Sequence, residues 1–206
     1  MENQEEAKKM RIVNAAISEF ARHGYKNANT NDIVKEAGVS KGLLFHYFGS
    51  KKQLYVYLYE YAMRLITDAV ADEFDWEERD IFKRWRTGAA IKLRMMREHG
   101  MLFEFIIDAY ARTANEVKEE IDTSTGVWMA FNWDQLMKSA DTSLFRDDID
   151  VGKAMQVIWW SINACTQKWV DPTQNVSYYE ENYASLTVEL DAYLELLRRV
   201  FYKEQV

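Results

Sequence analysis

An all-α fold is predicted for this chain of 206 residues, on three observations. Only one proline and eight glycines interrupt it. Apolar residues recur at spacings of three and four, the period of a helix face. No run of alternating apolar and polar residues bounded by turn pairs is present, so strands have no signal. Hydrophobic residues at 48% and charged residues at 29% supply a core and a solvated surface, and the length suffices for one domain or two small ones.

The elements follow in order. A first helix is expected over residues 5–23, with Ile12, Val13, Ala16, Ile17 and Phe20 on one stripe and His23-Gly24 as its stop. Lys8, Lys9 and Arg11 near its start suit either solvent or phosphate. Thr30 is placed to cap a second helix, with Asp32 favouring its dipole and Ile33, Val34 and Ala37 forming its apolar side. Gly38 ends that helix, since glycine enters the left-handed conformation at little cost. Ser40 caps a third, Lys41 to Tyr47, and Ser50 with Gln53 matches a capping box that opens a long helix running to about Asp72. Tyr25 and Phe48 are expected to close the small three-helix core.

Helix, glycine turn, helix is the arrangement that sets a second helix into the DNA major groove. The residues here go further than that outline. Gly24-Tyr25, Ala28, Thr30, Ile33, Ala37-Gly38-Val39-Ser40, Gly42, Leu44, Phe45-His46-Tyr47-Phe48, Lys51 and Leu54 resemble, in type and in spacing, the N-terminal domain of the TetR/AcrR family of bacterial transcriptional regulators. The resemblance covers about the first quarter of the chain. It implies an N-terminal three-helix helix-turn-helix DNA-binding domain, residues 1–52, and a helical ligand-binding and dimerisation domain, residues 53–206. It also implies double-stranded DNA with a palindromic operator as the partner, a homodimer and a small-molecule effector.

By that resemblance Lys41, Gly42, Leu43, Phe45, His46 and Tyr47 face the bases, and Thr30 and Lys51 hold phosphates. Gly42 permits close approach, and Leu43 offers apolar contact to a thymine methyl. Phe45 stands where the family often has tyrosine, so that hydroxyl is lost and Tyr47 is a substitute. Leu44 and Phe48 are assigned to the core. Charge agrees with an end-on approach to DNA: residues 1–52 carry nine basic and six acidic residues, net +3, and the remainder carries net −10. The same asymmetry also suits plain solubility.

Residues 73–79 read as a loop or helix start. Further helices are expected from Trp76 to Glu98, from Met101 to Arg112 and, as an irregular pair with a weak point at Thr123 to Gly126, from Asn115 to Ala140. Asp141 to Asp150 reads as an acidic loop. Two final helices carry seams: Val151, Met155, Ile158, Ile162, Cys165 and Trp169, then Leu186, Leu190, Tyr193, Leu197 and Val200, on either side of a connector from Val170 to Ser177. Met155, Ile158, Ile162, Leu186, Leu190, Tyr193 and Leu197 are assigned to a subunit interface, packing within one subunit being the other reading.

All seven tryptophans lie after residue 75. Phe103, Glu104, Asp108, Trp128, Phe131, Trp159 and Asn163 are candidates to line a site for a lipophilic or aromatic ligand, against the plainer reading as ordinary core. Two carboxylates there suit a cationic compound. Catalysis finds no footing: His23, His46 and His99 have no metal-ligand spacing, no glycine-rich phosphate loop is present, and Cys165 sits on an apolar seam. No catalytic residue, metal or cofactor is assigned. A single cysteine, an acidic and polar start and no apolar run near 18 residues point to a cytoplasmic protein without a membrane span. Two rivals to a ligand-controlled regulator remain: a DNA binder without a small-molecule effector, and a helical ligand-binding protein or enzyme whose head no longer binds DNA.

Overall fold

The computed structural model describes residues 2–138, 140–167 and 176–204, and it is helical as predicted. The helices are α1 (Glu2–Asn27), α2 (Thr30–Ala37), α3 (Lys41–Phe48), α4 (Lys51–Glu73), α5 (Ile81–Glu98), α6 (Gly100–Ala111), α7 (Lys118–Met137), α8 (Val151–Gln167) and α9 (Val176–Phe201). A 3-10 turn spans Thr142–Leu144, and an isolated antiparallel bridge joins Phe145 to Tyr202. Trp169 and residues 170–175 of the expected connector lie outside the described residues.

By packing the chain forms two compact units, Met1–Thr67 with Glu98–Trp128, and Asp68–Arg97 with Met129–Val206. The expected single boundary after residue 52 differs from this division because α6 packs on α1. Phe20 of α1 and Tyr55 of α4 meet edge to face at 4.9 Å, and Phe105 of α6 stands 5.2 Å from Tyr55. Tyr25 completes this aromatic cluster, 5.0 Å from Tyr55. A pair of such rings adds about 0.5–1.5 kcal/mol beyond the area it buries. Gly24 breaks α1 at φ 67°, ψ 174°, a backbone region open in practice only to glycine. This is the stop expected at His23-Gly24, and the helix resumes for a short turn after it.

The second unit is organised around a buried cation. Arg84 is 1% exposed. Its guanidinium donates to the carbonyl oxygens of Leu136 at 2.9 Å, Lys138 at 2.5 Å, Trp76 at 3.3 Å and Glu78, tying the loop before α5 to the end of α7. Arg198 of α9 pairs with Asp80 at 2.8 Å, and the Tyr202 hydroxyl donates to the same carboxylate at 3.2 Å.

Two expectations are corrected. The segment from Asn115 to Ala140 is not an irregular pair: α7 runs unbroken through Thr123 to Gly126. The Thr123 and Thr125 hydroxyls turn back onto the carbonyls of Glu119 and Ile121, both at 2.7 Å, and satisfy themselves without opening the helix. The start expected at Trp76 moves to Ile81, because Trp76 and Glu78 belong to the loop that Arg84 gathers.

The seams of α8 and α9 are largely occupied within the chain. Ile158, Ile162, Leu186, Leu190 and Leu197 are buried, together with Cys165 and Leu194, while Met155 is half-buried and Tyr193 stays exposed. Apolar surface remains on other sides of these helices, at Val157 and Trp160 of α8 and at Leu196 and Val200 of α9, with Trp160 63% and Leu196 57% exposed.

Candidate nucleic-acid interface

The interface is built on one turn, Lys26 to Asn29, held from two sides. The buried Glu19 carboxylate accepts the Asn29 backbone N–H at 2.9 Å. The Lys51 ammonium donates to the carbonyl oxygens of Ala28 at 2.6 Å and Lys26 at 3.2 Å, and lies 5.1 Å over the Tyr25 ring. Burial lowers the pKa of Lys51, and the negative charge of Glu19 works against that shift.

With the turn fixed, Asn29 caps α2. Its side chain accepts the Asn31 N–H at 2.9 Å. The cap expected at Thr30 is therefore one residue earlier, and Thr30 is the first residue inside the helix. Gly38 stops α2 in the left-handed conformation, φ 62°, with Gly38 N–H on the Lys35 carbonyl and Val39 N–H on the Val34 carbonyl. That double bond pattern is the Schellman stop, and glycine is favoured there because a Cβ is penalised. Ser40 then caps α3 by accepting the Leu43 N–H at 3.2 Å. The capping box at Ser50 forms in half. Ser50 Oγ accepts the Gln53 N–H at 3.1 Å, but the Gln53 side chain meets the Ser50 hydroxyl instead of its backbone.

These stops orient α3. Leu44 and Phe48 face inward and are buried, with Phe48 5.0 Å from the Tyr57 ring. Lys41, Gly42 and His46 are exposed, and Leu43, Phe45 and Tyr47 are half-buried. Lys41 is steadied by Asn31, whose side-chain oxygen accepts from its ammonium at 2.9 Å. A Cβ at Gly42 would find only the Ser40 hydroxyl, at 4.0 Å, so the space before it is open. The Tyr47 hydroxyl donates to the Glu5 carbonyl at 3.4 Å, which ties α3 to the start of α1. Six residues assigned to base reading thus share one short helix. Lys51 is turned onto its own chain's carbonyls, and Thr30 is half-buried. Sequence reasoning missed Asn29, Asn31 and Glu19; the first two carried a signal as polar residues at a helix start, and Glu19 carried none.

The residues proposed for a ligand divide between the units. In the first, Phe103 is buried, Glu104 half-buried, and Asp108 pairs with Arg112 at 2.8 Å. Burial raises the pKa of Asp108, and Arg112 partly offsets this. The Trp128 indole donates to the Thr67 hydroxyl at 2.9 Å. In the second, Trp159 stands 5.5 Å from Trp85 and 5.0 Å from Trp133, Asn163 is half-buried, and Phe131 is 47% exposed. Among the described residues no helix is long and apolar enough to cross a membrane.

A helix-turn-helix with a capped, outward-facing second helix defines the head of a DNA-binding regulator. Residues 12–58 match the family described as bacterial regulatory proteins, tetR family. The transcriptional regulator BetI of Agrobacterium fabrum is 46% identical over 61 residues, 29% of this chain and 30% of BetI. The fatty acid metabolism regulator protein of Bacillus subtilis is 22% identical over 173 residues, 81% of this chain and 86% of that one. In fold, the fatty acid degradation regulator FadR of Bacillus halodurans superposes with a TM-score of 0.68 at 20% identity, over 92% of this chain and 97% of its own. FadR of Bacillus subtilis, solved in complex with stearoyl-CoA, gives 0.67 at 20% identity with the same coverage. The match to the tetR family lies in the head, residues 12–58, and over the rest of the chain the likeness to these regulators is one of fold.

Proposed function

We propose that the chain is a repressor that binds a palindromic operator as a homodimer, one α3 in each half-site, under the control of a small lipophilic or aromatic molecule held in its C-terminal helices. The observation that carries this reading is the posture of α3. Its apolar side is anchored by Leu44 and Phe48, and Lys41, Gly42 and His46 are exposed to solvent. One eight-residue helix makes few base contacts, and two copies about 34–36 Å apart double them. The exposed Trp160, Leu196 and Val200 are apolar surface available to a second copy. An effector changes occupancy only through different affinity for the DNA-bound and free states. FadR of Bacillus subtilis, with the same fold, was solved with stearoyl-CoA, a lipophilic molecule.

A gel shift with duplex from the chain's own upstream region tests it. Retardation at low salt should weaken about a thousandfold or more between 50 and 200 mM salt if six or more phosphates are engaged. Replacing both Leu196 and Val200 by Glu should give monomers in sedimentation and lose the retarded band. A chain that ignores every duplex at low salt would end the proposal.

A further inference from the structure

Lys41 stands where a cation does nothing for its own helix. It is the first residue of α3, and no acidic residue shares that first turn. The N-terminal end of a helix is positive, so its dipole disfavours an ammonium there. Lys41 is also exposed, so packing does not fix its side chain.

A side chain of the neighbouring helix does. The Asn31 side-chain oxygen accepts from the Lys41 ammonium at 2.9 Å. Lysine only donates, so this bond sets the Asn31 amide, with its oxygen towards Lys41 and its nitrogen away. Asn31 is held in turn. Its backbone N–H donates to the Asn29 side chain at 2.9 Å, and the Asn29 N–H donates to the buried Glu19 carboxylate at 2.9 Å. A line of hydrogen bonds thus runs from α1 to the tip of Lys41. The other end of the lysine is fixed by Ser40, whose hydroxyl accepts the Leu43 N–H at 3.2 Å and sets the first turn of α3.

A lysine ordinarily swings on its flexible four-carbon stem. Near DNA a swinging ammonium finds phosphate, which supplies affinity and carries no sequence information. Asn31 occupies one of the three donors of the ammonium and leaves the others at a set place. Beside it the space before Gly42 is open, so a groove can come close. Donors held at one point suit the O6 and N7 acceptors of guanine in the major groove.

We propose that Asn31 is a positioning residue that determines specificity: it holds Lys41 on a guanine of the half-site and keeps it off the phosphates. This rests on the reading of α3 as the helix that enters DNA, and it names what α2 contributes to base choice.

Duplexes selected by the wild-type chain from a randomised pool test it. Competition gel shifts then exchange each base pair of the selected duplex in turn. Wild type should prefer G·C by about tenfold or more at one position of each half-site. Asn31→Ala and Lys41→Met should each lower that preference to about twofold or less, and the double variant should be no flatter than either. In Asn31→Ala the freed lysine turns to phosphate, so the salt slope should steepen by about one per protomer. Asn31→Ala should melt within about 2 °C of wild type, because an exposed bond is worth little in water. Asn31→Asp keeps the acceptor and should retain the guanine preference while its charge weakens all duplexes together. The proposal is overturned if Asn31→Ala keeps the guanine preference or the wild-type salt slope, if it melts well below wild type, or if the double variant is flatter than both single ones. A selected duplex whose guanine preference ignores Asn31 sinks this inference alone. A wild-type chain that retains no duplex from the pool sinks it together with the regulator reading.

Discussion

The Lys51 ammonium donates to the carbonyl oxygen of Ala28 at 2.6 Å, and this bond holds the turn on which α2 and α3 are built. A lysine at the start of α4 thereby fixes the end of α1 and the capping residue Asn29. Lys51→Met should leave two carbonyls without their charged donor and lower stability by about 1–3 kcal/mol, read as a shift in the urea midpoint at constant slope. Unchanged stability with weaker DNA binding would make Lys51 a phosphate ligand and nothing more.

Gly24 is held at φ 67°, ψ 174°, with the position of its missing Cβ 3.4 Å from the Asp108 carboxylate. Gly24→Ala should destabilise the chain by about 1–3 kcal/mol through backbone strain. Thermal unfolding checks this, and a melting temperature equal to wild type would show that the kink relaxes freely.

Arg84 is buried, and its charge is met by carbonyls of both the loop before α5 and the end of α7. Arg84→Met strands those acceptors and should cost about 3 kcal/mol or more, with Arg84→Lys intermediate because a point charge cannot reach all of them. Equal urea midpoints for the two variants would contradict this.

Lys92 gives a pH dependence with a definite sign. Its folded pKa is about 8, below the ordinary 10.5. Between these values the unfolded chain holds more protons, so unfolding free energy rises with pH across that window. The stability of wild type relative to Lys92→Met should therefore increase from pH about 8 to about 10 in urea titrations. Parallel curves would show the ammonium to be solvated.

What was legible in the sequence was local. Gly38 and Ser40 act within a few residues of themselves, and Leu44 and Phe48 repeat at the helix period, so the turn and the inward face of α3 could be read directly. The cap at Asn29 could not, because Asn29 and Thr30 are both good capping residues and the choice is made by Glu19, ten residues away. The unbroken α7 was hidden for a similar reason: a run of Thr, Ser and Gly weakens a helix, and here the Thr125 hydroxyl pairs with the buried Tyr59 hydroxyl at 2.7 Å. Arg84 looks like any surface charge until the carbonyls of Leu136 and Lys138, at and just past the end of α7, meet it. The seam spacing on α8 and α9 was plain, but spacing alone does not say which helix a stripe meets, and burial shows Leu190 and Ile162 already enclosed within the chain.

Gly42 offers the most direct test of the claim that α3 enters DNA. Nothing in its own domain lies closer than 4.0 Å to a Cβ there, so Gly42→Leu should melt at or above the wild-type temperature. In the groove the same side chain would collide with base edges. Measured by gel shift on the upstream duplex, Gly42→Leu should lose tenfold or more in affinity; unchanged affinity in a folded variant would contradict the account.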